Sequence, residues 1–202
     1  MDRSRLSELH FIAHLVNVPS ILEHGILSHR RARRIEHVSV ASPDVQGRRR
    51  RKKVPSGRHY RLLHDYANLY LDARNAMLYS LLEEWEGSLT VLAVDSLVLD
   101  LPGVVVADRN AASGIARFSS VAEGGIEALD ETVVFARYWS DNDDLKQRRC
   151  AEVLVPGKVD PSWIRRACVP DRTTKRKLAH LLGNHELPIQ VVPFLFFRSS
   201  DD

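Results

Sequence analysis

Residues 28 to 62 carry no sustained apolar period, although the chain on either side of them does. A stretch of that length inside a compact domain is functional or mobile, so the elements of a core are sought before and after it. The same stretch holds the charge. From position 30 to position 61, twelve bases (Arg30, Arg31, Arg33, Arg34, Arg48, Arg49, Arg50, Arg51, Lys52, Lys53, Arg58 and Arg61) stand against two acids, Glu36 and Asp44. That segment balances at +10 and the remainder at −7, so a net charge of +3 conceals a basic patch on a mildly acidic chain. Arginine supplies 23 of the 29 bases, and its planar fork binds phosphate bidentately and stacks on bases where lysine is a point charge. Nucleic acid is therefore the leading partner. On charge alone, a solvated loop or a localisation tract stays open.

At 202 residues the chain has room for a single domain, 1–202, or a domain with an arm, and a multidomain machine is excluded. Hydrophobic residues at 44% and charged residues at 27% are ordinary for a folded chain. The longest apolar runs, 91–94 and 193–197, are strand-sized, so no membrane partner is expected. The amino terminus continues into polar residues instead of an apolar h-region, and a cytoplasmic location follows as an expectation. Cys150 and Cys168 are too few and too far apart for a structural zinc site, so neither a disulfide nor a metal is expected.

Alternation predicts strands over 8–15, 66–71, 89–94, 104–107 and 151–155, and a final strand pair, 189–192 and 195–197, split by Pro193. Helices are predicted from the Asn17 cap to Gly25, over 75–85 with Asn75 at its cap, over 124–129, 141–147 and over 173–182 before Gly183. Strands and helices interleave without a regular repeat, which favours α+β over a doubly wound sheet. There is no G-x-G-x-x-G, P-loop, H-E-x-x-H or G-x-S-x-G, so Rossmann, P-loop, zincin and α/β-hydrolase chemistry is excluded.

One charge is out of place. Glu152 stands inside the apolar strand 151–155, on the face shared with Leu154. It is either a strand-edge carboxylate paired with Arg148 or Arg149 or a carboxylate held in a cleft. The segment containing it, RRCAEVLVPGKV, resembles the R-x-A-E-x-L-V stretch of the DarT family, DNA ADP-ribosyltransferase toxins of toxin–antitoxin systems. Three further segments resemble the family in the same order. Residues 14–27 resemble its H-x-x-N-L-x-x-I-L-x-x-G-x-L segment, Val45-Gln46-Gly47-Arg48-Arg49 its basic loop, and residues 64–79 its H-D-Y-x-x-x-Y-x-x-x-R-x-x-M-L-Y signature.

The resemblance implies an ADP-ribosyltransferase-like split mixed sheet in which 28–62 is a substrate and NAD loop. It implies transfer of ADP-ribose from NAD, with no metal, to a base of single-stranded DNA. It makes Glu152 and Arg49 catalytic, with Arg49 holding the NAD pyrophosphate or a nucleic-acid phosphate. Phe11, Ala13, Asn17, Tyr70 and Met77 fall on positions lining the NAD pocket, with His10 one place early for the family's histidine. Arg48, Arg50, Arg51, Arg74, Arg117, Arg148 and Arg149 are the expected DNA contacts. A monomer opposed by a cognate antitoxin that removes ADP-ribose completes the expectation. Met77 and Tyr70 also fit plain core positions.

Cleaving the nicotinamide–ribose bond develops oxocarbenium character, which a carboxylate on the ribose 2-hydroxyl stabilises. The same carboxylate can take the proton from an attacking base nitrogen, so Glu152→Ala is expected to keep the fold and lose turnover. Family members modify thymine or, in another branch, guanine. Cys150, Phe11, Ala76 and Ile115 depart from the family pattern near substrate-reading positions, and these departures are read as favouring guanine. Two other readings remain: a non-catalytic single-strand-binding module stacking bases on its aromatic residues, and an NAD-dependent transferase acting on RNA.

Overall fold

The computed structural model describes residues 1–139 and 141–198. In chain order the elements are β1 (Glu8–His14), α1 (Val18–His24), β2 (Ile26–Leu27), α2 (His29–Ala32), α3 (Pro43–Arg49), β3 (Lys53–Ser56), β4 (His59–Leu62), β5 (Tyr66–Tyr70) and α4 (Ala76–Leu81). They continue with β6 (Leu89–Asp95), β7 (Val105–Ala107), β8 (Phe118–Ser120), α5 (Glu131–Val134), α6 (Asp143–Arg149), β9 (Glu152–Pro156), β10 (Lys158–Val159), β11 (Ile164–Val169), α7 (Arg172–Leu182) and β12 (Ile189–Val191). Eight strands form one mixed sheet in the order β12-β11-β6-β1-β5-β9-β7-β8, all antiparallel neighbours except β11 and β12.

This α+β sheet is split at its centre. β1 pairs with β6 along its whole length, from Glu8↔Asp95 to His14↔Leu89, but it meets β5 only at His10↔Tyr70. Beyond that pair the two strands separate, and the gap becomes a cleft. Side-chain alternation fills both faces of the sheet. Leu9, Leu92, Val94 and Val153 pack with Val18 of α1 and Leu178 and Leu182 of α7. Ile12, Val91 and Cys168 pack on the other side with Leu78 and Leu81 of α4 and Phe196. Gly25 closes α1 with φ 90°, and a Cβ there would stand 2.2 Å from the Val159 carbonyl oxygen, so only glycine lets β2 pair with β10.

The basic segment is folded. It contains α2, α3 and the β3–β4 hairpin, and Val54 of the hairpin packs with Tyr66, Val105 and Leu154 on the face of β9 that carries Glu152. Several ties hold it down: the Asn17 amide exchanges hydrogen bonds with the Val38 backbone at 2.7 and 2.9 Å, Arg30 pairs with Asp65 at 2.9 Å, and Lys52 donates to the Ser113 carbonyl at 2.6 Å.

Three expectations are corrected. Residues 124–129 form turns instead of a helix, because Gly124 (φ 90°) and Gly125 (φ 23°) both leave the right-handed helical region. Residues 193–196 form a 3-10 turn ended by Phe197 in the left-handed region, so β12 pairs in parallel with β11 and has no partner at 195–197. The helix expected over 75–85 is regular only over Ala76–Leu81.

Asn75 is fully buried, caps α4 by accepting from the Met77 and Leu78 amides and donates to the Asp72 carbonyl. Asn75→Ala is expected to cost about 2 kcal/mol. Urea unfolding measures this cost, and an unchanged midpoint would refute the cap.

Candidate active site

Glu152 opens β9, in register with Tyr70 of β5 on one side and Ala107 of β7 on the other. It is fully buried. An ionised carboxylate in that position requires compensation, which α3 supplies. Arg49, the last residue of α3, donates from Nη1 to both carboxylate oxygens at 3.0 Å and from Nη2 to Oε2 at 3.1 Å, and the Ala111 amide donates to Oε1 at 2.9 Å. Of the twelve bases in the segment, Arg49 alone is buried, at 6% exposure. Glu152 thus pairs with neither Arg148 nor Arg149.

The cleft beside this pair has a volume of about 440 Å³. Its walls are Phe11, Ile12 and Ala13 from β1, Asn68 and Tyr70 from β5, Ala76, Met77, Ser80 and Leu81 from α4, and the loop 35–42 held by Asn17. Arg48 and Arg49 reach it from α3, and Cys150 and Asn110 from the opposite side. Arg49 lines the cleft and Glu152 stands behind it. The guanidinium therefore lies between the carboxylate and the cleft.

The structure brings Phe11, Ala13, Asn17, Tyr70 and Met77 together along the cleft, with Arg48 and Arg49 reaching it from α3, and leaves His10 outside. Its Nε2 sits 3.3 Å from Glu8 Oε1, outside the cleft lining. Arg50, Arg51 and Arg117 are exposed, and Arg148 lies 4.0 Å from Asp130 and Asp144. Arg74 lies between the rings of Phe194 and Phe197, 4.4 Å from each centroid. Arg149, expected among the DNA contacts, lies in the interior. It is buried, with its fork on Asp72 (2.9 Å), the Val134 carbonyl (2.7 Å) and the Arg74 carbonyl. Arg49 holds the Glu152 carboxylate. Asn68, Asn110 and the Ala111 amide were not singled out from the sequence. A backbone donor leaves no trace in residue identity, and lone asparagines carry little signal.

Three titratable groups around the cleft, Tyr70, Cys150 and His64, are held neutral near neutral pH. Burial, and then the Glu152 charge, push the Tyr70 phenol well above its ordinary range, and its hydroxyl donates to Met77 Sδ at 2.7 Å. Burial pushes the Cys150 thiol up to about 11, which removes it as a nucleophile near neutrality. His64 lies against His29 with ring centroids 4.0 Å apart, and its Nε2 is 3.0 Å from Gln46 Oε1. Burial, followed by the charges of His29 and Arg49, lowers it to about 4. Among the described residues no cluster of His, Cys, Asp and Glu could hold a metal ion, and no helix is long and apolar enough to cross a membrane.

Residues 10–197 match the model of the family described as "ssDNA thymidine ADP-ribosyltransferase, DarT". The chain belongs to the DarT family. A Thermosipho africanus DNA ADP-ribosyl transferase–glycohydrolase fusion protein is 33% identical over 199 residues, which cover 96% of this chain and 50% of that protein. A Thermus sp. 2.9 DNA ADP-ribosyl transferase is 31% identical over 156 residues, 73% of each chain. The chain therefore spans half of the first DarT relative and about three-quarters of the second. The solved structure of Thermosipho africanus DarTG with ADP-ribose superposes with a TM-score of 0.83 at 31% identity, covering 95% of this chain and 51% of that one. Thermus sp. 2.9 DarT with ADP-ribosylated ssDNA gives 0.82 at 25% identity, covering 94% and 96%. The fold is the DarT fold, with Glu152 and Arg49 at the split of its sheet.

The depressed His64 value sets the sign of a pH effect. The unfolded chain takes up this proton near the ordinary 6.5 and the folded chain only near about 4, so the folded state loses stability as pH falls across that interval. The His64→Asn variant is expected to show a shallower decline in unfolding midpoint from pH 6.5 to 4. Parallel curves for the two proteins would contradict this.

Proposed function

We propose that this chain transfers ADP-ribose from NAD to a base of single-stranded DNA, releasing nicotinamide, and that it acts as a toxin in the cytoplasm. The observation that carries the reading is the buried Glu152–Arg49 pair at the wall of a cleft opening where the sheet splits. In a binding module the pair would serve only to anchor the basic segment to the sheet, a role that does not call for a cleft beside it.

The cleft fits a dinucleotide. It offers apolar surface at Phe11, Ile12 and Leu81, amides at Asn17, Asn68 and Asn110, and a cation at Arg48 on its rim. Glu152 is hidden while Arg49 covers it, so we infer that the arriving phosphates draw Arg49 aside and open the carboxylate to the ribose. Glu152 then stabilises positive charge as the nicotinamide–ribose C–N bond breaks and nicotinamide leaves with the bonding pair. A base nitrogen forms the new bond to ribose C1, and its proton passes to Glu152. An extruded base is cheapest to supply from a single strand.

The target base is thymine, which the family description names, or guanine, which the sequence departures favour. Three of the departures, Phe11, Ala76 and Cys150, line the cleft, whereas Ile115 is 70% exposed and lies off it. An opposing enzyme that removes ADP-ribose completes the proposal. The Thermosipho africanus relative, which carries a glycohydrolase in the same polypeptide, supports it.

Glu152→Gln keeps hydrogen-bonding capacity toward Arg49 and is expected to lower transfer by about two to four decades. The assay weighs single-stranded oligonucleotides, with thymine or guanine as the only reactive base, after incubation with NAD. Transfer at the parent rate by the variant would sink the mechanism, and product on thymine alone would overturn the guanine reading. Both variants remove the counter-ion of buried Arg49, but Glu152→Ala is the poorer test because it also removes every acceptor oxygen that Arg49 and the Ala111 amide donate to, whereas glutamine keeps one.

A further inference from the structure

Beside the cleft, on the outer side of α4, three distant parts of the chain bring aromatic rings together at the surface. Tyr79 stands edge-on to Trp139 (centroids 6.0 Å apart) and to Phe197 (5.1 Å). Arg74 is clamped between Phe194 and Phe197, and its Nε donates to the Phe194 carbonyl at 3.0 Å. Arg137 lies over the Tyr138 ring at 5.7 Å. Large apolar side chains are ordinarily covered, yet Tyr79 is 60%, Phe194 62% and Tyr138 81% exposed.

The arrangement is held from below. Buried Arg149 ties the Val134 carbonyl, at the root of the segment bearing Tyr138 and Trp139, to the Arg74 carbonyl and to Asp72 at the root of α4. Burial, and then the like charges of Arg149 and Arg137, lower the pKa of Arg74, which stands with Arg137 among these rings. Exposed aromatic faces interleaved with arginine suit one ligand chemistry in particular, the unpaired bases and phosphates of a single strand. The position fits as well. α4 turns Ala76, Met77 and Ser80 into the cleft and Tyr79 away from it, and a helix is about 10 Å across, a reach of a few nucleotides.

We propose that Tyr79, Tyr138 and Phe194, with Arg74 and Arg137 among them, form a stacking platform for the nucleotides flanking the base held in the cleft. The inference rests on the single-strand reading above and extends it. It assigns substrate length dependence to this surface, in addition to the electrostatic attraction of the basic segment on the other side of the cleft.

The test compares the parent chain with Tyr138→Ala/Phe194→Ala, and with a second variant, Tyr79→Leu, that preserves packing against Trp139 and Phe197. Binding and NAD-dependent modification are measured on oligonucleotides of about 4 and about 12 nucleotides that share one reactive base, lengths chosen to end short of the platform and to extend across it. The parent is expected to prefer the longer strand. The variants are expected to bind it at least about tenfold more weakly, to modify the shorter one at the parent rate, and to keep the parent melting temperature. Variants that bind the long strand like the parent would overturn the platform, as would equal losses on both lengths. Equal affinity of the parent for both lengths would overturn the platform and leave the transferase reading standing. Absence of modification at either length would overturn the transferase reading and the platform with it. Patch variants that lose only the grip of an opposing protein would reassign the surface and overturn the proposal.

Discussion

A carboxylate buried without water has to be answered by a cation and by hydrogen bonds, and most of this fold can be understood as the answer given to Glu152. Three hydrogen bonds from Arg49 and one from the Ala111 amide satisfy both oxygens. Residues 49 and 152 lie 103 positions apart, so their pairing anchors an otherwise surface-bound basic segment onto the central sheet. The hairpin β3–β4 then covers the Glu152 face through Val54, and the loop 35–42 roofs the cleft, pinned by Asn17. Removing either partner leaves a buried charge unpaired, which is why the pair constrains the fold as well as the chemistry.

The same pair reconciles two demands that conflict. Under the proposed function, a carboxylate must be desolvated to act strongly on a developing positive charge, yet a bare desolvated carboxylate would weaken the fold and repel the phosphates of the proposed substrates. Holding Arg49 across it hides the charge until another anion competes for the guanidinium. Tyr70, Cys150 and His64 are neutral near neutral pH, so none of these three adds a charge beside the pair. Arg48 lines the cleft and stays exposed, and apart from Arg49 the remaining arginines of the segment are exposed on the surface.

What the sequence makes legible follows from burial. Strands β1, β5, β6 and β9 alternate or run apolar because both faces of the sheet are covered, and the lone acid in β9 stands out against that background. The basic segment hides its structure because its elements bury almost nothing apolar. The buried residue of α3 is Arg49 itself, and β4 has no buried residue at all. β11 escapes because Arg165 and Arg166 interrupt an otherwise apolar run, Arg165 reaching Asp95 and Arg166 reaching Glu8. The apolar 194–197 run misleads in the other direction, since Pro193 and the left-handed Phe197 make it a turn whose rings serve packing. The split of the sheet at His10↔Tyr70 cannot be read from residue types, because it is a property of how two strands diverge.

The account is tested most directly by a double-mutant cycle on stability between Arg49→Met and Glu152→Leu. Each single variant strands one buried charge, and the double variant replaces both by apolar groups of similar size. The account predicts that the double variant is more stable than the sum of the single losses by at least about 2 kcal/mol. Additivity to within about 0.5 kcal/mol would mean that the two side chains are not coupled in the folded protein, and would contradict it.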